Sequence, residues 1–336
     1  MIHLSKDKLP HICFFGCGNI AARHAKILKK IHSDIDISFA SRNLSKSKEY
    51  VSKYGGRISF GSYEDAAVSD LFDIAFITTP PDSHSKLAIL NADNNKDIII
   101  EKPITRNIEE LNDIERAVAK NRVNCTVAEN YYYKPFIKRV REYIEGDYIG
   151  NPLIIDLNKT NRDKISGWRS DASIVGGGAL LEGGVHWINA LVSLAGASPV
   201  QVLASKPDIE YDTNIPFEDS MIINVEFENG MIGRLLHSWR IPNSLKGVGL
   251  SKVYGTEGVI TFESNGLFVY VYGKRKGLSI INPMDFLGFK AMHKAFIEAY
   301  ISQRSWQPSL ERIRRELRLI DSAYKSLYSK KYESIL

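Results

Sequence analysis

The N-terminal part of the chain alternates short apolar runs with longer segments whose apolar residues recur at helical spacing. The runs are typical of buried strands, which we predict at His11–Phe15, Ile35–Ser41, Phe72–Thr78, Asp97–Glu101 and Asn124–Glu129. Helical patterns separate them, at Asn19–Ile31, Leu44–Tyr54, 83–94 and 107–120. Such alternation predicts βαβ units that build a doubly wound parallel sheet with helices on both faces.

The remainder of the chain has a different pattern. After a predicted helix at Pro135–Glu145, strand-like runs dominate, at Pro152–Thr160, Val200–Lys206, Ser220–Phe227, Met231–Trp239, Val253–Tyr254, Val259–Phe262 and Leu267–Tyr272. Asn229-Gly230 and Asn265-Gly266 lie between strand pairs and indicate hairpin turns. Two apolar stripes, Met292–Tyr300 and Ile313–Leu327, predict closing helices. We therefore predict an α/β domain at residues 1–128 and an α+β domain with a largely antiparallel sheet at 129–336.

Composition narrows the function classes. The 336 residues include 44 Lys and Arg against 39 Asp and Glu, a net charge of +5, with no run of five basic residues, so we expect no nucleic-acid partner. No apolar run approaches the roughly 18 residues of a membrane span, and Met1–Pro10 lacks a secretory signal. Three cysteines are an odd number without metal-ligand spacing, which favours free thiols in a cytoplasmic protein.

A glycine turn after the first predicted strand indicates a dinucleotide. Gly16, Gly18 and Ala21 form G-x-G-x-x-A, which opens the first helix with Asn19 and Ile20. The first glycine makes the tight turn, the second admits a pyrophosphate to the backbone, and the small third residue permits close helix–sheet packing. The helix N-terminus supplies amide donors and the positive end of its dipole.

The end of the second predicted strand bears on which dinucleotide is bound. NAD-binding versions of the turn place an acid there for the ribose 2′-hydroxyl. This chain has Ser41 and Arg42, a hydroxyl and a guanidinium that suit a 2′-phosphate. We therefore expect NADP(H) in preference to NAD(H); the alternative is a solvent-exposed pair at the strand end.

Three further motifs carry a resemblance to a known family. Thr78-Thr79-Pro80-Pro81 with His84 and Glu101-Lys102-Pro103 each end a predicted strand, and the segment 176–186 (GGGALLEGGVH) opens a helix in the second half. In this order, behind the glycine turn, they resemble the Gfo/Idh/MocA oxidoreductases. The resemblance covers nearly the whole chain. It implies a Rossmann domain, and an α/β domain whose open-faced sheet forms a homodimer or homotetramer.

The resemblance also implies roles at matching positions. Thr78, Thr79 and Pro80, with His84 and Glu101, belong to the turns expected to line the cofactor. Lys102 matches the family's active-site lysine, followed by Pro103 with a possible cis bond. His186 matches the histidine assigned as proton donor or acceptor, and Glu182 stands where the family usually has Asp.

The chemistry is consistent with hydride transfer. Reduction of a carbonyl leaves an alkoxide that must be protonated, and a histidine with a pKa near 6.5 suits that step at neutral pH. An ammonium beside the oxygen stabilises the developing charge. The i, i+4 spacing of Glu182 and His186 predicts that both face one cleft.

Ordinary structural explanations exist for the same residues. Lys102, taken alone, could be an ordinary surface lysine. Glu182 and His186 could be an ordinary pair of residues on a helix. Half of a metal site is a further alternative, but without a third ligand or an H-E-x-x-H pattern we expect no metal. Cys17 fits the bend as a small residue; its place at a helix N-terminus raises the alternative of a reactive thiol.

Candidate substrate contacts are less specific. Lys159–Arg169 carries four basic residues, of which Arg169 and Arg162 could select an anionic group, while Trp168 could stack on a ring. Tyr131, and with it Tyr132 and Tyr133, is expected near the cleft or in domain packing. A solvated charged loop is the alternative.

These features predict an NADP(H)-dependent oxidoreductase acting on a sugar, with a nucleotide-linked or otherwise anionic sugar ketone as the expected substrate. The alternatives are an inositol, free-sugar or dihydrodiol dehydrogenase, and a non-catalytic dinucleotide sensor.

Overall fold

The computed structural model describes residues 8–208, 216–243 and 248–335. The chain divides into two compact units. The first comprises the residues up to Glu129 together with Phe289–Ile313, and the second comprises Asn130–Gly288 and the residues from Arg314 onward.

The first unit is built on a six-stranded parallel sheet of order β3-β2-β1-β4-β5-β6. Its elements, in chain order, are β1 (Ile12–Phe15), α1 (Asn19–Ile31), β2 (Ile37–Ala40), α2 (Leu44–Tyr54), β3 (Ser59–Phe60), α3 (Tyr63–Ala67), β4 (Ile74–Ile77), α4 (His84–Asp93), β5 (Asp97–Ile100), α5 (Ile108–Asn121) and β6 (Cys125–Val127). Every residue of β1, β2 and β4 is buried, as expected for central strands covered on both faces. Phe14 stacks between Phe39 and Phe76 at ring-centroid distances of 5.3 and 5.2 Å, which anchors the three strands in one core.

The second unit is built on a nine-stranded sheet of order β14-β13-β12-β11-β7-β10-β9-β8-β15. Its first elements are α6 (Pro135–Glu145), β7 (Pro152–Thr160), α7 (Ala172–Val175), α8 (Ala179–Glu182), α9 (Val185–Ala195), β8 (Pro199–Ser205), β9 (Ser220–Phe227) and β10 (Ile232–Ser238). They are followed by β11 (Leu250–Gly255), β12 (Gly258–Glu263), β13 (Phe268–Tyr272) and β14 (Gly277–Ile280). All neighbouring strands run antiparallel except β7 and β10, which are parallel.

Two long helices and a short strand close the chain. These are α10 (Phe289–Ile301), α11 (Leu310–Ser329) and β15 (Glu333–Ser334). Helix α10 packs against α1, and residues 289–313 therefore fold with the first unit, whereas the sequence places them in a domain at 129–336. A single domain boundary in the sequence cannot describe a chain that returns to the first unit. The apolar stripe of α10 predicts a helix but does not show against which core that helix packs.

One face of the nine-stranded sheet is covered by helices and the other is open. Helices α6, α8 and α9 pack on the covered face. The open face carries an apolar row, in which β-register aligns Ile232, Ile154, Tyr254, Val259 and Tyr272 across five adjacent strands. Four of these five side chains are 38–52% exposed, a large apolar surface for a lone subunit.

The predicted fold class is confirmed: a doubly wound parallel sheet precedes an α+β unit with a largely antiparallel, open-faced sheet. Helices α3 and α7 and strands β3, β14 and β15 were not predicted. Strands β3 and β15 span two residues each, too few for a hydrophobic period. No helix within the described residues is long and apolar enough to cross a membrane.

Candidate active site

The glycine turn joins β1 to α1, and each glycine meets a different requirement. Gly16 has φ +116°, and a Cβ there would lie 3.0 Å from the Thr78 carbonyl oxygen. Gly18 precedes α1 with extended backbone, and a Cβ there would meet nothing within 4 Å. The helix N-terminus has no side-chain cap and no acid in its first turn. Its amide donors are therefore available to an anion, while Ala21 is buried against the sheet.

The ends of β1, β4 and β5 lie at the same edge of the parallel sheet. Because β4 lies between β1 and β5, the Thr78–Pro81 turn is flanked by the glycine turn and by Glu101-Lys102-Pro103. Neighbouring strands are about 4.8 Å apart, so the glycine turn and the Lys102 turn are about 10 Å apart along this edge. A dinucleotide whose pyrophosphate lies at α1 extends over such a distance along the carboxyl edge.

Polar and charged side chains follow the end of β2. Ser41 accepts a hydrogen bond from the Asn43 amide, so its hydroxyl helps shape the turn into α2. Arg42 is exposed, and its charge acts on the Tyr63 hydroxyl. Lys46, in the first turn of α2, pairs with Glu49 at 3.2 Å and acts electrostatically on Cys17 in the glycine turn. Lys46 was not predicted as a site residue, although its position four residues after Arg42 is visible in the sequence.

Cys17 does not have the environment of a reactive thiol. Burial raises its pKa to about 12, outweighing the opposing charge of Lys46. Its Sγ lies 3.9 Å from the Ala40 carbonyl oxygen. The raised pKa disfavours the reactive thiolate and favours the other interpretation, that Cys17 is a small residue that fits the bend.

The hydroxyl groups of the threonine–proline turn form hydrogen bonds with other groups of the protein. The Thr78 hydroxyl lies 3.1 Å from the carbonyl oxygens of both Phe15 and Gly16, which ties the ends of β4 and β1 together. The Thr79 hydroxyl accepts a hydrogen bond from Ser83 at 2.7 Å. Thr79 and Pro80 keep partial exposure and remain the residues of this turn that can contact a cofactor.

His84 connects this turn to the next one. Its Nδ1 lies 2.9 Å from the Pro103 carbonyl oxygen and its Nε2 lies 2.9 Å from that of Thr79. The ring is fully enclosed, and burial lowers its pKa although both carbonyl contacts favour the proton. His84 was predicted to bind the cofactor; the structure shows instead that both ring nitrogens face the backbone of the two turns.

Glu101, Lys102 and Pro103 end β5, and the Lys102–Pro103 peptide bond is cis. Glu101 is buried, and its Oε2 accepts the Lys102 amide at 3.0 Å. Its Oε1 lies 2.6 Å from Nε2 of His24. Burial acts to raise the pKa of Glu101, but the hydrogen bond and charge of His24 and the charge of Lys102 hold it below its usual value. Lys102 itself is partly exposed at the sheet edge.

The second unit holds the predicted Glu182. Glu182 ends α8 and is buried, and its Oε2 accepts a hydrogen bond from Nη2 of Arg169 at 2.9 Å. The Arg169 guanidinium lies 5.7 Å from the Trp239 ring, and its Nε is buried with no hydrogen-bond partner among the residues that the structure describes. This pair brings together two predicted substrate residues, and the orphaned Nε is a donor available to a ligand oxygen.

Glu182 and His186 do not lie on one continuous helix, so regular i, i+4 geometry does not place them on one face, and their common cleft stays a prediction. Helix α8 ends at Glu182, and α9 begins at Val185. The intervening Gly183 and Gly184 allow close contacts, because added Cβ atoms would lie 3.0 Å from Nε1 of Trp239 and 2.7 Å from the Leu180 carbonyl oxygen. The glycines thus interrupt the helix that the sequence pattern continues.

His186 stacks on Tyr131, another predicted substrate residue. The ring centroids are 4.5 Å apart at an interplanar angle of 13°. The Lys134 ammonium lies 3.5 Å from the same Tyr131 centroid, and Lys134 is 2% exposed. At these distances the Lys134 ammonium and the His186 ring would overlap if they lay on the same face of the Tyr131 ring. They therefore lie on opposite faces of that ring. Lys134 was not predicted, since a buried lysine carries no signature in a single sequence.

The basic segment Lys159–Arg169 is divided by the fold. Lys159 donates to Asn265 at 2.7 Å, and burial lowers its pKa. Arg169 pairs with Glu182, whereas Arg162 and Trp168 are exposed. Two of the four basic residues are therefore bonded to other groups of the protein, which weakens the expectation of an anionic substrate.

The glycine triplet is held by a carboxylate outside the predicted site. Oε1 of Glu218 accepts the Leu180 amide and the Tyr324 hydroxyl, both at 2.9 Å, and the Tyr324 oxygen accepts the Gly178 amide at 3.0 Å. Burial raises the pKa of Glu218 to about 7, against the effect of these two donors. Only Gly fits at 178, where a Cβ would lie 2.3 Å from the backbone carbonyl oxygen of Glu218.

Within the described parts of the chain, no three His, Cys, Asp or Glu side chains are grouped so as to hold a metal ion.

The first unit has a parallel sheet with an uncapped glycine turn at its carboxyl edge, and the second unit has an open-faced, largely antiparallel sheet. This combination defines the class as a two-domain, dinucleotide-binding oxidoreductase. Two family models support this class. Residues 11–129 match the oxidoreductase family with an NAD-binding Rossmann fold, and residues 137–261 match the Gfo/Idh/MocA C-terminal domain. The chain belongs to the Gfo/Idh/MocA oxidoreductase family.

Similar proteins include named dehydrogenases. D-xylose 1-dehydrogenase [NADP(+)] of Haloarcula marismortui is 26% identical over 167 residues, covering 48% of this chain and 46% of that protein. Levoglucosan dehydrogenase of Pseudarthrobacter phenanthrenivorans is 26% identical over 249 residues, covering 66% of this chain and 63% of that protein. A levoglucosan dehydrogenase structure in complex with NADH superposes with a TM-score of 0.88 at 20% identity, over 98% of this chain and 100% of that one, and shows the shared fold.

Proposed function

We propose that the protein is an NADP(H)-dependent oxidoreductase that interconverts a sugar hydroxyl and its keto form. The observation that carries this proposal is the position of Lys102 at the carboxyl edge of the parallel sheet, two strands from the uncapped turn at Gly18. An ammonium at this distance from the pyrophosphate site suits the end of the dinucleotide at which the chemistry occurs.

The proposed chemistry gives each predicted catalytic residue a role of its own. The bound nicotinamide would supply or accept the hydride. Lys102 would donate a hydrogen bond to the substrate oxygen and stabilise its developing negative charge. His186 would give a proton to that oxygen during reduction and remove it during oxidation. Glu182 would orient Arg169, whose orphaned Nε offers a donor to a further substrate hydroxyl.

We infer the preference for NADP(H) from the end of β2. No acid follows Ala40 at the position where NAD-binding turns place one, and Arg42 is exposed there with Lys46 in the first turn of α2. The NADP(+)-dependent xylose dehydrogenase among the relatives supports this preference, whereas the NADH complex of levoglucosan dehydrogenase shows that the fold also accepts the other cofactor.

Two substrate classes follow from the second unit. Arg162, a predicted substrate residue that is exposed, keeps a nucleotide-linked or otherwise anionic sugar as one candidate. The ion pair of Arg169 and Glu182 favours the second, an uncharged sugar or cyclitol, because Glu182 already compensates the Arg169 charge that an anionic group would need. Xylose and levoglucosan, which two relatives are named for, are uncharged, whereas the glucose 6-phosphate in the name of a third carries a phosphate.

A substrate panel distinguishes these candidates. D-xylose, levoglucosan, myo-inositol, glucose 6-phosphate and a UDP-sugar are each incubated with the protein and NADP+ or NAD+, and their keto forms with the reduced cofactors, while absorbance of the reduced nicotinamide is followed. Turnover of the uncharged members supports the second class, and turnover confined to the phosphorylated members supports the first. Absence of cofactor binding as well as of turnover would contradict the proposal.

We also propose that the open face of the nine-stranded sheet joins two copies of the chain, as a dimer or as the unit of a tetramer. Its apolar row is flanked by a polar ladder in which Arg234 bonds Asp156 at 2.9 Å, an arrangement that suits a self-complementary interface. A cytoplasmic location belongs to the same proposal, since Cys13, Cys17 and Cys125 are free thiols.

A further inference from the structure

A chain of three buried side chains lies behind the Lys102 turn. Nε2 of His24 is 2.6 Å from Oε1 of Glu101, and Nδ1 of His24 is 2.8 Å from Nε2 of His293. The second carboxylate oxygen of Glu101 accepts the Lys102 amide at 3.0 Å. The series His293–His24–Glu101–Lys102 thus connects α10, α1 and the end of β5, all within the first unit.

The surroundings of this chain are apolar. His24 and His293 are 0% and 1% exposed, and Glu101 is 7% exposed. Phe76 and Phe289 lie against the His24 ring at centroid distances of 4.6 and 5.4 Å. In such an environment hydrogen bonds are strong, and a partner left unpaired is costly.

The proton positions follow from the acceptors. The Glu101 carboxylate is held in its charged form and can only accept, so Nε2 of His24 carries a proton. A single proton then lies between Nδ1 of His24 and Nε2 of His293, whose pKa burial and the neighbouring His24 hold well below its usual value. Each bond therefore fixes the orientation of the next group, and the last group fixed is the backbone amide of Lys102.

We propose that His24 and His293 are positioning residues, which lock the Glu101 carboxylate and through it the backbone from which Lys102 acts. The proposal rests on the function proposed for Lys102. It explains why two histidines that are 269 residues apart in sequence share a buried bond beside the active-site turn. Neither histidine contacts the substrate in this role.

The test compares two replacements of His293. Gln places an amide nitrogen the same number of bonds from Cβ as Nε2 and can donate to His24, whereas Leu has similar bulk and no donor. Met292, buried next to His293 on α10, provides the control Met292→Leu. Steady-state kinetics use the panel sugar with the highest turnover, and NADPH affinity is titrated by fluorescence. The Lys102 amide is followed in a ¹⁵N TROSY spectrum of the 336-residue chain.

We expect His293→Leu to lower kcat about tenfold or more, with KM and NADPH affinity little changed, and to move the Lys102 amide resonance. His293→Gln should keep kcat within about threefold and leave that resonance in place, as should Met292→Leu. Unchanged kcat or an unmoved Lys102 amide in His293→Leu would overturn the proposal. Equal loss in the Gln and Leu variants would also overturn it, since packing alone would then explain the effect.

The two proposals fail in different ways. Normal turnover in Lys102→Ala would refute the catalytic role of Lys102, whatever the His293 variants do. An unmoved Lys102 amide in His293→Leu would refute the positioning role even if Lys102→Ala is inactive.

Discussion

Gly16 and Gly18 are two residues apart, yet the structure predicts opposite consequences for their replacement by alanine. At Gly16, φ is +116° and a Cβ would lie 3.0 Å from the Thr78 carbonyl oxygen. That oxygen belongs to backbone held by the Thr78 amide, which donates to Phe15 at 2.9 Å, so the contact is not easily relieved. A residue other than glycine held in such a backbone conformation lowers the free energy of unfolding by about 1–3 kcal/mol.

At Gly18 the backbone is extended, with φ −107°, and a Cβ would meet nothing within 4 Å. Alanine is a somewhat poorer N-cap residue than glycine, so we expect a loss of unfolding free energy below about 1 kcal/mol. The added methyl group would, however, occupy the space through which a pyrophosphate approaches the α1 amides. We expect NADPH affinity to fall about tenfold or more, the equivalent of about 1.4 kcal/mol.

The assay is thermal unfolding of both variants without cofactor, followed by fluorescence titration with NADPH. Gly16→Ala should lower Tm by several degrees, at about 2–4 °C for each kcal/mol in a domain of this size, and Gly18→Ala should leave Tm nearly unchanged. Normal NADPH affinity in Gly18→Ala would refute the placement of the pyrophosphate over this turn. A Tm loss in Gly18→Ala as large as that in Gly16→Ala would refute the structural distinction between the two glycines.

Three further predictions concern the cofactor, pH and assembly. Arg42→Ala should weaken NADPH binding about tenfold and leave NADH binding unchanged, with the exposed Lys48→Ala as control; equal effects on both cofactors would contradict a 2′-phosphate contact. Because burial raises the pKa of Glu218 to about 7 from 4.5, the folded protein keeps a proton that the unfolded chain releases. The unfolding free energy should therefore fall as pH rises from 4.5 to 7, and Glu218→Gln should flatten that slope in urea titrations; an unaltered slope would contradict the raised pKa. Tyr254→Glu should reduce the oligomer measured by light scattering, while Glu at Tyr328, which is 89% exposed, should not; a monomeric unaltered protein would contradict the proposed interface.

The sequence predicts those parts of the fold whose signal is local. The buried strands β1, β4 and β5 are apolar runs, and α4 and α5 have the period and length of helices, so both their type and their bounds are predicted closely. The unit with which α10 packs cannot be predicted from local sequence, because its apolar stripe would fit any core.

The same distinction applies to the site. The residues of the glycine turn and of Glu101-Lys102-Pro103 are contiguous, and their motifs identify them. The His24–His293 bond and the Arg169–Glu182 pair depend on how separate elements pack, and Gly183-Gly184 interrupts a helix that periodicity alone extends. Motifs therefore predict which residues act, and the structure adds what holds them and which charges are already paired.

The most direct test of the proposed function is the turnover of Lys102→Ala and His186→Ala with the best substrate of the panel. Each variant should lower kcat about 10²- to 10⁴-fold, the usual contribution of a positioned proton donor or acid–base group, while NADPH affinity stays within a few fold of that of the unaltered protein. Near-normal kcat in both variants, with intact cofactor binding, would contradict the account.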